Sequence, residues 1–185
     1  MNDERARLFV ALELPAAVRD ALATWRSEAL RDLAEVRAAA VDSLHVTLCF
    51  LGWRSVREIG PIAEAVEALR SHGAAALAVA GALWLPPRRP RVLAVKLDDA
   101  GGALGRAQAA LSAALEAGGW YVPEARPFLA HVTVGRVAKG ARVRKPEVPE
   151  PPRLAFDGSA VTLFRSRLSR AGARYEALRT AQLGS

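Results

Sequence analysis

Cysteine and histidine are scarce in this chain. A single cysteine, Cys49, excludes an intrachain disulfide and fits a reducing compartment. Three scattered histidines with no carboxylate cluster beside them argue against a zinc or two-metal centre. No run of about 18 apolar residues occurs, so no membrane-spanning helix is expected. The opening MNDERARLFVALELP has no apolar stretch behind a basic start and does not read as a signal peptide. No G-x-x-x-x-G-K-[ST] string is present, which excludes a P-loop. KLDD (96–99) matches the lysine motif of nucleotidyl-transferring ligases only in part, and an adenylated lysine is not expected. These absences lead to the expectation of a cytoplasmic protein with no membrane contact, no metal and no cofactor; a monomer is expected as well.

What the chain has in quantity is apolar residues, at 51%, enough for a true core. Its 185 residues suit one compact domain, or two small lobes sharing a core. The net charge of +7 steers polyanions toward the surface, or simply keeps the chain soluble.

Periodicity predicts strands at 7–13, 44–51, about 76–84, 91–98, 129–137, about 160–168 and 174–181. It predicts a helix opened by Leu14-Pro15 with Val18, Leu22, Trp25 and Leu33 inward. A second helix carries Val56, Ile59, Ala63, Val66 and Leu69. A third runs from about Ala103 to Ala117, with Leu104, Ala107, Leu111 and Leu115 inward. PPRRPR (86–91) is a stiff basic loop, and the Pro-rich stretch 139–153 is expected to be a mobile surface loop. Strands and helices mix without a strict βαβ rhythm, which favours α+β with largely antiparallel sheet.

Two of the three histidines sit in matching strings, LHVTL (44–48) and AHVTV (130–134). Each string lies inside a predicted strand, where side chains alternate between faces. His45 and Thr47 therefore share one face, and Val46 and Leu48 the other. His131 and Thr133 stand in the same relation to Val132 and Val134. The aliphatic face belongs in the core. The imidazole and hydroxyl face needs a polar or solvated space. Two such strands facing one cleft would bring together two groups that titrate near neutrality and two hydroxyl donors. That set suits phosphoryl transfer by paired acid and base. A lone His-x-Thr in a strand is usually an ordinary satisfied histidine; two copies using two of only three histidines point to function. His72, before Gly73, has no motif around it and reads as a surface helix cap.

At these residues the chain resembles the bacterial and archaeal RNA 2′,3′-cyclic phosphodiesterases, also called 2′-5′ RNA ligases, of the two-histidine (2H) phosphoesterase superfamily. The paired His-x-Thr strings carry the likeness. So do RLFVALELP (7–15), LHVTLCFLG (44–52), PRVLAVKL (90–97), HVTVGR (131–136) and LFRSRLSRAGARYEAL (163–178). The resemblance implies an α+β fold of two pseudo-symmetric, mainly antiparallel lobes, with helices outside and a central groove. It implies metal-independent hydrolysis of RNA 2′,3′-cyclic phosphate ends, or of cyclic nucleotides, to 2′-phosphates. Some members also join RNA through a 2′-5′ linkage. His45 matches the donor to the leaving 3′-oxygen and His131 the base for water. Thr47 and Thr133 match phosphate-binding hydroxyls, and Arg136 matches a phosphate-binding arginine. Strict alternation turns Arg136 away from His131, so that role requires a bulge or the strand's end. Two positions depart from the family pattern: Cys49, where a basic residue is frequent, and Ala130, where proline is.

Other basic groups, Arg88, Arg89 and Arg91 in one loop and Arg142, Arg144 and Lys145 in the other, either track an RNA backbone or are merely solvated. Phe9, Trp53, Trp84 and Tyr121 are candidate base-stacking residues, with core packing as the more ordinary role. Two further functions fit the same scaffold. One is a phosphodiesterase acting on 2′-5′ oligonucleotides or ADP-ribose cyclic phosphate. The other is a non-catalytic RNA- or nucleotide-binding module.

Overall fold

The computed structural model describes residues 4–169 and 172–184. Residues 170 and 171, within the RSRL…ARYE match, lie outside them, as do 1–3 and 185. The chain runs β1 (Arg5–Glu13), α1 (Ala16–Ala29), β2 (Val36–Ala38), β3 (His45–Ser55), α2 (Ile59–Glu67), β4 (Ala75–Leu85), β5 (Val92–Asp98), α3 (Ala103–Ala117), β6 (His131–Val137), β7 (Ala155–Gly158), β8 (Ala160–Ser169) and β9 (Gly172–Gln182).

Among the described residues the strands join one antiparallel sheet in the order β7-β4-β5-β6-β3-β1-β8-β9, with β2 added alongside β6. The sheet has two four-strand halves. They meet at β3 and β6 through a single Cα pair, Val46 with Val132. These are the central residues of the two His-Val-Thr strings, so a local two-fold axis runs between the motifs. The order of elements obeys the same symmetry. β1-α1 leads into β3, and β5-α3 leads into β6. Each helix then crosses over, α1 packing on β6 and α3 on β3. The expected pair of related lobes is thus realised within one continuous sheet.

One face of the sheet is covered by the helices. Leu8, Val10 and Leu12 of β1 are fully buried there, with Val46 and Val132. Leu22 of α1, Ile62 of α2, and Leu104, Leu111 and Leu115 of α3 meet them, also fully buried. Removing a leucine of this kind from water is worth roughly 1.5–3 kcal/mol, which fixes the strand register and with it the direction of every side chain on the opposite face.

Sequence periodicity located most long elements to within a residue or two, but β3, expected at 44–51, continues to Ser55, and α1 ends at Ala29, short of Leu33. The second helix begins and finishes as tighter 3-10 turns, at 56–58 and 68–71, around an α-helical centre. Leu33 lies beyond the end of α1 but still packs on the core. The Pro-rich stretch 139–153 has no regular structure, yet it is pinned rather than loose. Trp84 Nε1 donates to the Pro146 carbonyl at 3.1 Å, and Trp25 Nε1 to that of Pro149 at 3.0 Å. Val143 and Val148 pack against the core beneath.

Candidate active site

His45 opens β3 and His131 opens β6, both on the face free of helices. The two imidazoles are held alike. His45 Nδ1 lies 2.7 Å from the Ser43 carbonyl, and His131 Nδ1 lies 2.8 Å from the Leu129 carbonyl. A carbonyl only accepts, so each Nδ1 carries a proton. Each Nε2 is left as the atom that can gain or lose one. Two bonds hold the loop that supplies the Ser43 carbonyl: the Arg26 guanidinium donates to the Ala39 carbonyl, and Ala39 N–H donates to Val134 O at 2.9 Å.

The threonines lie on the same face, as alternation requires. Thr47 Oγ1 is 3.0 Å from His45 Nε2. Arg136 reaches this face because β6 carries a bulge. Ala94 of β5 pairs with Thr133, but the next residue back, Leu93, pairs with Gly135, so Val134 is the extra residue. Val134 and Gly135 are both turned inward, and the phase of alternation shifts by one. The bulge on which an Arg136 role depends is present. β3 has the same irregularity at the same offset: Ala11 pairs with Thr47, Val10 with Cys49, and Leu48 is extra. Phe50 thereby takes the place in the first half that Arg136 has in the second.

The bulged backbone leaves no room at Gly135. A Cβ there would lie 2.8 Å from Val36 Cγ1 and 3.2 Å from Leu30 Cδ1. Gly135→Ala should therefore cost about 1–3 kcal/mol through overpacking. Chemical denaturation compared with wild type checks this, and an unchanged midpoint would show that β2 and the end of α1 yield freely.

His45, Thr47, His131, Thr133 and Arg136 line one pocket of about 40 Å³, closed by Ser43 and Tyr175. That is room for a small oxyanion, not for a nucleotide. The pocket opens onto a groove of about 1030 Å³, which shares Thr47, His131, Thr133 and Arg136 with it. A groove of that size holds a nucleotide or more.

The two histidines differ in their surroundings. Both are half-buried, but His45 is walled by Phe9, Phe164 and Tyr175, a ring cluster that His131 does not share among the described residues. Burial pushes the His45 imidazole down to about 4; the Ser43 carbonyl opposes the shift, and repulsion from the Arg136 guanidinium and the His131 imidazole adds to it. Among the described residues no three His, Cys, Asp or Glu side chains converge as metal ligands.

Comparison with known proteins now bears on this geometry. No family model matches the chain. The RNA 2′,3′-cyclic phosphodiesterase of Escherichia coli (strain K12) is 30% identical over 184 residues, which cover 95% of this chain and 96% of that protein. The chain belongs to that family, within the 2H phosphoesterases. It is an enzyme of the phosphodiesterase class. Solved structures agree. TT0787 of Thermus thermophilus superimposes with a TM-score of 0.83 at 27% identity, over 97% of this chain and 99% of that one. E. coli LigT complexed with 3′-AMP gives 0.83 at 26% identity, over 98% of this chain and all of that one.

The remaining sequence candidates sort themselves around this pocket. Phe9 is buried beside His45 and stacks on Phe164 with centroids 5.2 Å apart, so it offers no face to a base. Trp84 is occupied with the Pro-rich stretch. Trp53 is exposed but lies outside the groove lining, whereas Tyr121 and Arg91 belong to it. Arg88, Arg89, Arg142, Arg144 and Lys145 are not part of that lining. Cys49 is buried, and desolvation raises its thiol to about 12, so it is an inert core residue. In KLDD, Lys96 pairs with Asp98 at 3.4 Å, and Asp99 Oδ2 accepts from Gly105 N–H at the start of α3. His72 stands away from the pocket, its carbonyl accepting from Gly184 N–H. Sequence reasoning did not single out Phe50, Tyr175 or Arg7, whose guanidinium sits 4.9 Å over the Phe50 ring. Tyr175 lies 130 residues from His45 on an edge strand; the ARYE string around it carries part of the family likeness but gives no sign that it meets His45.

Proposed function

We propose that this phosphodiesterase hydrolyses RNA 2′,3′-cyclic phosphate ends to 2′-phosphates, without metal, with His45 and His131 as its acid–base pair. The observation that carries the reading is the matched presentation of the two imidazoles. Both Nδ1 atoms are fixed as donors to backbone carbonyls, and both imidazoles line one oxyanion-sized pocket.

The chemistry follows from that geometry. The neutral Nε2 of His131 takes a proton from a water as its oxygen bonds to phosphorus. The bond from phosphorus to the 3′-oxygen breaks, and protonated His45 Nε2 delivers its proton to that oxygen. The product keeps its phosphate on the 2′-oxygen. Thr47, Thr133 and Arg136 donate to the non-bridging oxygens as charge builds on them. Because both proton transfers and the charge stabilisation have assigned side chains, the reaction needs no Lewis acid. The RNA strand leading to the cyclic end would run in the groove, where Phe50 and Tyr121 offer ring surface and Arg7, Arg91 and Arg126 offer charge. The name of the E. coli relative and the 3′-AMP complex of LigT support an RNA or nucleotide substrate.

Incubation with 2′,3′-cyclic AMP should give 2′-AMP as the product, at a rate that EDTA does not change. Formation of 3′-AMP would reverse the assigned leaving group. Loss of activity in EDTA, restored by a divalent ion, would replace the acid–base pair with a metal mechanism.

A further inference from the structure

The two His-Val-Thr strings have the same backbone, the same bulge and the same Nδ1 contact, yet the proposed reaction needs them to do opposite things. Something outside the motifs must make them different. The outstanding difference is aromatic. The Phe9 centroid is 5.0 Å from that of His45, Phe164 is 6.5 Å away, and Tyr175 meets the imidazole edge-on at 5.5 Å and 77°. The wall is itself packed, with Tyr175 meeting Phe9 edge-on at 4.8 Å. Tyr175 alone of the three lines the pocket.

We propose that Tyr175 is a positioning residue that makes the two histidines unequal: by completing the wall it keeps the His45 imidazole uncharged in the empty pocket, so that His45 takes up its proton only when an oxyanion arrives. The inference rests on the acid–base roles proposed above and supplies what they lack, a reason for the difference.

The charges facing His45 agree with it. Arg136 and His131, from β6, both disfavour a proton there. Glu13, whose backbone pairs with His45 across β1 and β3, accepts from the Thr162 hydroxyl and is not among the charges that act on His45. Tyr175, from β9, is the remaining neighbour with an ionisable side chain, and its ring lies edge-on to the imidazole. Desolvation is the largest influence holding His45 down. An oxyanion between Arg136 and the two imidazoles reverses the balance: it neutralises the arginine and puts negative charge beside Nε2, which favours the imidazolium. The proton that His45 later gives to the leaving oxygen is thus acquired on binding. Without substrate the pocket stores no acid.

The test is a ¹⁵N NMR titration of the imidazoles, in the whole protein, with and without saturating sulfate. Sulfate carries no titratable proton near neutrality, so any uptake belongs to the protein. Empty wild type should show His45 titrating well below the ordinary value of about 6.5. Sulfate should raise it by at least about one unit. Tyr175→Leu should raise it by a similar amount in the empty protein, and Tyr175→Phe, which keeps the ring, should leave it nearly unchanged. Phe164→Leu opens the wall from the other side and should act like Tyr175→Leu; the His72 signal, remote from the pocket, reports an intact fold in each variant. A His45 titration unmoved by Tyr175→Leu and Phe164→Leu would overturn the proposal, as would one unmoved by sulfate. Hydrolysis of 2′,3′-cyclic AMP, assayed on the same samples, separates the two ideas. Wild type with the expected titrations but no hydrolysis would sink the proposed reaction and leave the role of Tyr175 standing. Hydrolysis with unmoved titrations would do the reverse.

Discussion

Alanine at His45 or at His131 should lower turnover of a 2′,3′-cyclic nucleotide roughly 10²–10⁴-fold, the usual worth of one positioned acid or base. The loss should appear in kcat, with affinity for a 2′-nucleotide product changed far less, because Thr47, Thr133 and Arg136 still line the pocket. The double variant should lose much less than the product of the single losses, since both groups serve one step. In the wild type kcat should be bell-shaped in pH. It falls at low pH as the base gains a proton and at high pH as the acid loses its own. The apparent values belong to the coupled pair with phosphate between them, not to the empty enzyme, where burial holds His45 near 4. Steady-state kinetics of the three variants, with product binding by calorimetry, decide the matter. Near-wild-type kcat in either single variant would mean that its histidine is not an essential catalyst.

Arg136→Ala should be the next most costly change, at about 10²–10³-fold in kcat, the loss typical of removing one donor from a developing oxyanion. The direction follows from the bulge, which brings a permanent cation to the pocket that holds both imidazoles. Lysine should recover only part of the loss, since it keeps the charge but not the forked geometry of guanidinium. Arginine's absence should also relieve one of the influences that hold His45 uncharged, so an NMR titration of the empty variant should show His45 moved upward. Full turnover in Arg136→Ala would reduce this side chain to a surface arginine that happens to border the cleft.

The histidines and threonines were legible in the sequence because strand alternation is a strong rule and the core enforces it. Fully buried Val46 and Val132 leave His45 and His131 only the other face. Arg136 was legible only as a resemblance, because alternation by itself gives the wrong side. A one-residue bulge has no compositional signature in HVTVGR beyond its glycine. Phe50 was lost to the same effect in the first motif. β2 and β7 escaped notice because three and four residues are too few to show a period. The stretch 139–153 reads as loose by composition; its order comes from two tryptophans more than 50 residues away in sequence. Tyr175 joins the site through sheet order alone, with β9 beside β8, β8 beside β1 and β1 beside β3.

The matched bulges have a consequence for how such a molecule changes over time. With the backbone of the two motifs related by a local two-fold, the scaffold itself does not say which end of a substrate is which. Among the described residues that information resides in what the halves do not share: arginine against phenylalanine at the bulge exits, an aromatic wall behind one imidazole but not the other, and β2 alongside β6. A lineage built on this scaffold can therefore reverse the direction in which it reads its substrate, or change what it accepts, by exchanging a few side chains across the axis. The frame that holds the two histidines would not need to be rebuilt.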